Sequence, residues 1–177
     1  MGGDGCRSYV HVSAGHGGKG GSGTVIVVYT PEEGYYAEYA KEVQEGGEIR
    51  KVKGWQTHAF TSNGVFTLKQ PMTLQVLLVG GGGAGAHANN VRGGGGGAGG
   101  FLLLDRVVLP AGEHAVTVGK GGVAVSENGT SSVFAGHTAL GGGGGGQSWN
   151  PPLDGKEGAS GGGGGSQGGV NKAGGAA

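Results

Sequence analysis

Apolar positions along the chain fall into short runs with the texture of strands. Leu74-Gln75-Val76-Leu77-Leu78-Val79 breaks directly into four glycines, Gly80 to Gly83. After a polar stretch from Ala86 to Arg92, glycines resume at Gly93 to Gly97 and deliver the chain into a second apolar run at Phe101. A strand feeding a glycine run, a polar loop, and a glycine run feeding a strand is the repeating unit. Thr24-Val25-Ile26-Val27-Val28-Tyr29 is the most β-prone segment, and its apolar character on both faces predicts a strand covered on both sides. Arg7 to Val12 alternates and reads as a short strand. Gln56 to Phe60 and Val65 to Leu68 flank Thr61-Ser62-Asn63-Gly64, where Asn-Gly suits the positive φ angles of a tight hairpin. Phe101 to Leu109 leads through a turn at Pro110 to Glu113 into His114 to Val118. Ser131 to Phe134 and Thr138 to Leu140 form a last short pair before Gly141 to Gly146.

One segment has a different period. Pro31 to Glu45 contains glycine only at Gly34 and spaces Tyr35, Tyr39 and Val43 four residues apart, a helical stripe, with Glu32 and Glu33 near the start where they suit the helix dipole. Gly46-Gly47 ends it. The spacing predicts one short amphipathic helix, packed on its own module or on a neighbouring chain.

Composition changes the picture. Of 177 residues 49 are glycine, a level that without a collagen period usually signals disorder. Here the glycines come as discrete runs between segments built to be buried. Ordered glycine has no side chain to pack and makes a poor lone strand. Polyproline-II-type backbone suits it better: three residues per turn and no internal hydrogen bonds, so outward N–H and C=O groups pair with neighbouring runs. The runs at 80–83, 93–97, 141–146 and 161–165 are therefore expected to be mutual partners in a small lattice with polar loops at its ends.

Twelve basic and twelve acidic residues cancel and form no basic stripe, which argues against nucleic acid or a membrane surface as partner. The single Cys6 forms no intrachain disulfide. No apolar stretch reaches transmembrane length, and the N-terminus lacks the pattern of a signal peptide.

Candidate chemistry is thin. Gly80 to Gly85 formally satisfies G-x-G-x-x-G after a strand, but the match carries little inside a glycine run and no helix pattern follows. Gly18-Lys19, Gly119-Lys120 and Gly155-Lys156 lack both the earlier glycine and the following Ser or Thr of a phosphate-binding loop. His11, His16, His58, His87, His114 and His137 show no metal-ligand spacing. Asn128-Gly129-Thr130 is formally a glycosylation acceptor and more simply a turn. The expectation is a protein with no catalytic residues, metal or cofactor.

The order Phe60-Thr61-Ser62-Asn63-Gly64-Val65-Phe66-Thr67, Val76 to Gly83, and Val116-Thr117-Val118-Gly119-Lys120-Gly121-Gly122 resembles a glycine-rich domain family. So do Ser131 to Phe134 and Thr138 to Leu140 with the glycines that follow. That family occurs in phage tail-tip adhesins, tail-fibre proteins and bacterial surface proteins. The resemblance implies a small β-sandwich or jelly-roll-like base carrying packed polyglycine-II helices, no enzymatic activity, and receptor contact through the loops between glycine helices. The family's closing Val/Ile-rich strand, normally last, is matched here near the front by Gly20 to Tyr29. The chain thus looks circularly permuted or cut from a repeat array. Two arrangements follow for Thr24, Val25, Ile26, Val27, Val28 and Tyr29: closing their own domain, or completing a neighbour's, the latter giving head-to-tail assembly.

The fold expected is mainly β: a sandwich base, packed polyglycine-II helices and one short α-helix. Residues 1–30 supply a glycine-rich segment and closing strand, 31–54 a helical connector, and 55–177 the base and lattice. The function expected is that of a non-enzymatic structural protein of an extracellular, cell-surface or virion assembly, associating with copies of itself. The alternative is an adhesin module binding a cell-surface receptor. The candidate contact loops are His87, Asn89, Asn90 and Arg92, and Gln147, Ser148, Trp149 and Asn150, because loops between glycine runs display side chains without disturbing a lattice.

Overall fold

The computed structural model describes residues 17–29, 46–52, 54–87, 92–148, 153–167 and 169–177. Among these the protein is mainly β, built from antiparallel pairs, with no helix. The helix expected over Pro31 to Glu45 and the strand expected over Arg7 to Val12 lie outside the described residues.

The strands are β1 (Thr24–Tyr29), β2 (Glu48–Val52), β3 (Trp55–Phe60), β4 (Gly64–Leu68), β5 (Met72–Val79), β6 (Phe101–Leu109), β7 (Gly112–Thr117), β8 (Ser132–Phe134), β9 (His137–Ala139), β10 (Ser166–Gln167) and β11 (Val170–Asn171). One sheet has the order β2-β3-β1-β5-β6, a second β4-β7-β8-β9, and β10 pairs with β11. The strand β2 falls within the stretch assigned to a helical connector, where Glu48-Ile49-Arg50-Lys51 gives little apolar signal. It forms because β3 offers it a partner, Ile49 opposite His58 and Lys51 opposite Gln56.

The β-prone run of β1 occupies the middle of its own sheet. Val27 lies opposite His58 on β3 and opposite Val76 on β5. Val25, Val27 and Tyr29 are buried, while Thr24, Ile26 and Val28 on the other face are half-buried. The strand is paired within the chain along both edges.

The hairpin expected at Asn63-Gly64 does not form. The strands β3 and β4 belong to different sheets, and the turn carries the chain from one to the other. Two inward faces require this: Gln56, His58 and Phe60 bury on one side, Phe66 and Leu68 on the other. Gly64 does not adopt positive φ. The Asn63 side chain instead accepts a hydrogen bond from the Val118 N–H at 2.8 Å. A two-residue hairpin does occur between β8 and β9, where Ala135 (φ 51°) and Gly136 (φ 77°) supply consecutive positive φ angles.

The two larger sheets share one apolar core containing Val25, Val27, Leu74, Val76 and Leu78 from the first and Phe66, Leu68, Val116 and Phe134 from the second. A file of rings crosses it. Tyr29 stacks on His58 at 6.0 Å, His58 meets Phe66 edge-on at 5.2 Å, and Phe66 meets Phe134 edge-on at 6.0 Å. His58 is fully buried. Its Nδ1 lies 3.2 Å from the Gly46 carbonyl, which can only accept, so Nδ1 carries the proton. Nε2 then accepts from the Gln56 amide at 3.2 Å. Burial lowers the His58 pKa below its ordinary value, and the bond to Gly46 opposes that shift.

A histidine whose folded pKa is lowered binds a proton more readily in the unfolded chain. Stability is therefore full above the unfolded value, about 6.5, and is lost as pH falls from there through the lowered folded pKa. Thermal melts between pH 8 and pH 5, about 1.5 units either side of that value, are expected to show a falling midpoint, and His58→Gln is expected to flatten the profile.

A candidate contact surface on a glycine lattice

Six strands of the two larger sheets run out, at one end of the molecule, into glycine-rich rods. Residues 17–23 precede β1, 80–86 follow β5, and 93–100 precede β6. From the second sheet, residues 118–122 follow β7, 126–131 precede β8, and 140–146 follow β9. These ends coincide because the register places Thr24 opposite Val79, Val79 opposite Phe101, and Ser132 opposite Ala139. The sheets thereby set the rods side by side.

Within this array the hydrogen bonds have a period of three. Along the rod after β5, the N–H groups of Gly80, Gly83 and Ala86 donate to the carbonyls of Gly100, Gly97 and Gly94. Those of Gly81 and Ala84 donate to Thr130 and Glu127, and those of Gly82 and Gly85 to Gly21 and Gly18. Each third residue thus serves the same neighbour, stepping three residues back along an antiparallel rod. Three residues per turn is the period of polyproline-II-type backbone. Carbonyls are used likewise: Gly81 and Ala84 accept from Gly142 and Gly145.

The rod at 140–146 is a second hub. Leu140, Gly143 and Gly146 accept from Gly100, Gly97 and Gly94, while Gly141, Gly144 and Gln147 accept from Ala159, Lys156 and Leu153. Gly143 and Gly146 donate to Ser160 and Gly163. Residues 142–146 are all buried without a side chain among them. The chain beyond 153 forms an outer layer in which Lys172 and Gly175 donate to Gly165 and Gly162. Asn128 stitches the layers, its Oδ1 accepting from the Gly144 N–H at 2.8 Å and its Nδ2 donating to the Glu157 carbonyl at 3.0 Å. That bond gives the Asn128 amide a structural use.

Such packing depends on bare backbone. A Cβ built on Gly145 would come closer than 3.0 Å to the carbonyl of Gly94, and one on Gly83 would meet Gly143 equally closely. Gly95 is exposed and a Cβ there meets nothing within 4 Å.

Of the loop residues singled out, Asn89, Asn90, Trp149 and Asn150 lie outside the described residues. The described ones converge at the end of the lattice away from the sheets. Arg92 is exposed and its backbone pairs with Ser166. The Ser148 hydroxyl donates to the Arg92 carbonyl. Gln147 accepts from the Leu153 N–H at 2.8 Å, and His87 is half-buried one residue beyond the end of its rod. Residues far apart in sequence, Arg92 and Ser148, therefore meet at one tip. Ser166, at the same place, carried no signal in the sequence because its role is set by the backbone pairing to Arg92. Among the described residues no cluster of three or more His, Cys, Asp or Glu side chains forms.

Fold and lattice together define a glycine-rich β protein whose second packing system is made of backbone. A family model described as a glycine-rich domain matches residues 61–177, and the chain belongs to that family. No curated protein and no solved structure matches it. The matched residues begin after β1, β2 and β3, yet β1 sits between β3 and the matched strand β5.

The lattice makes a paired prediction. Gly145→Ala is expected to destabilise the protein by at least about 1–3 kcal/mol, as overpacking does. Gly95→Ala is expected to change stability by less than about 0.5 kcal/mol. Urea denaturation of both variants measures the difference.

Proposed function

We propose that the protein is a non-enzymatic structural component of an extracellular, cell-surface or virion assembly in which copies associate with one another. In this reading the rods are polyglycine-II helices on a β-sandwich base. The observation that carries it is the three-direction bonding of the rods. A rod bonded in this way presents donors and acceptors all round its axis, so an outer rod keeps bonding capacity wherever it has no neighbour. The exposed side of the run at Gly95 is one such place, open to a glycine run from another copy. Because β1 is already paired along both edges within its own chain, assembly is assigned to packing of outer surfaces rather than to donation of that strand. The same cis pairing supports a circularly permuted relation to the family pattern, with a strand from outside the matched residues completing the sheet.

A second reading has its own observation. Convergence of Arg92 and Ser148 at one tip favours an adhesin module that holds this tip against a cell-surface receptor. Polar loops on a rigid support suit such a role.

Sedimentation velocity with negative-stain microscopy tests the first reading: oligomers or fibres are expected at rising concentration, and monomers throughout would overturn it. For the second, exchanging residues 147–152 for a Gly-Ser loop is expected to abolish cell binding. Unchanged binding would remove that surface from consideration.

A further inference from the structure

Among the described residues the five-stranded sheet ends at β6, its longest strand with nine residues, which is paired there on one side only, to β5. A long apolar edge of this kind is a template for another strand. The opposite edge, β2, is guarded: it is short, and Glu48, Arg50 and Lys51 place three charges in five residues. Edge β6 instead exposes Phe101, Leu103 and Val108 at 69%, 57% and 68%. Its only charges are Asp105 and Arg106, adjacent and opposite in sign.

A bulge lies at that pair. Leu74 is opposite Val107 and Val76 is opposite Leu104, so Gln75 alone faces both Asp105 and Arg106. The extra residue shifts the alternation of faces by one. Before it, Leu102 and Leu104 turn to the core while Phe101 and Leu103 turn outward; after it, Val107 and Leu109 turn to the core while Val108 turns outward. The strand is thereby symmetric in its faces about the point between Asp105 and Arg106.

We propose that two copies of this chain associate edge to edge through β6, antiparallel, with a two-fold axis between Asp105 and Arg106. This deepens the self-association reading above and rests on it. In that register Asp105 lies opposite the partner's Arg106 and Arg106 opposite the partner's Asp105. Leu104 lies opposite the partner's Val107 on the core side, and Leu103 opposite the partner's Val108 on the outer side. Every position meets one of like face, and each charge meets its opposite. An unbulged strand would bring core-facing residues opposite outward-facing ones about the same axis, because a one-residue offset reverses every side chain. A bulge and a charge usually keep an edge from pairing with an arbitrary neighbour. Here they become complementary for one partner in one register, as a self-complementary two-fold interface requires. The paired outer faces also bring together exposed Leu103 and Val108, removing apolar surface from water.

A charge-reversal cycle on the full chain, read by sedimentation equilibrium, tests the proposal. Asp105→Arg places two like-charged pairs across the axis, and so does Arg106→Asp; each is expected to weaken association at least about tenfold. The double variant Asp105→Arg with Arg106→Asp restores both opposite pairs and is expected to regain association. Circular dichroism of each variant separates loss of association from loss of folding, and Leu103→Lys provides a second disruption that leaves the charges in place. Wild-type association indifferent to all these substitutions would overturn the β6 interface and leave self-association standing through another surface. A wild type monomeric at every concentration would overturn both. Single variants that stay folded and dissociate, with a double variant that does not re-associate, would overturn the two-fold register.

Discussion

The structure depends on how closely one bare backbone can approach another. In the lattice, rods lie near enough for N–H to reach C=O in several directions, and a single methyl group at most lattice positions would fall inside a neighbouring backbone. Because each rod distributes its donors among several neighbours, none is held by one partner alone. Residues 80–86 donate in turn to residues 94–100, 127–130 and 18–21, so loosening any of these leaves buried polar groups unpaired. Unpaired buried groups are costly, which makes the array cooperative even though each bond contributes only about 1 kcal/mol net.

The two packing systems need each other. Glycine loses more conformational freedom than any other residue when it is ordered, and runs of it supply no apolar surface in return. The sheets meet that cost by starting six rods side by side at one end of a side-chain core. In exchange, the lattice ties the sheets together beyond the core. Ser132 shows the coupling at the junction: its hydroxyl donates to the Val79 carbonyl on one sheet's strand and accepts from the Gly119 N–H at the end of the other. The buried file from Tyr29 through His58 and Phe66 to Phe134 joins the same two sheets within the core.

Much of this was legible in the chain. Strand positions from β3 to β9 were visible as β-branched and apolar runs between glycines, and a lattice followed from the need to satisfy backbone groups that no side chain covers. Legibility failed where a partner decided. The strand β2 has charged residues at three of five positions and exists through pairing with β3. Asn63-Gly64 has the composition of a hairpin turn, yet its strands diverge because each sheet needs an inward face. The bulge at Asp105-Arg106 is likewise a property of the pairing with β5. At the tip, Arg92 and Ser148 are 56 positions apart in the chain, and only the rods that deliver them could show that they touch.

By itself the sequence determined that this protein is β-rich, that its glycine runs pack on one another, and that Thr24 to Tyr29 is a strand buried in a sheet. Those properties are local: β propensity, alternation, and the absence of side chains over consecutive residues. Only the tertiary structure decided that Thr24 to Tyr29 pairs within its own chain between β3 and β5, and that Arg92 and Ser148 meet at one end. It alone also decided which strand edge stays open among the described residues. Pairing partners are matters of register and proximity between distant segments, and backbone donors and acceptors are identical at every residue. Glycines alone therefore cannot say which run meets which; the register of the sheets beneath them does.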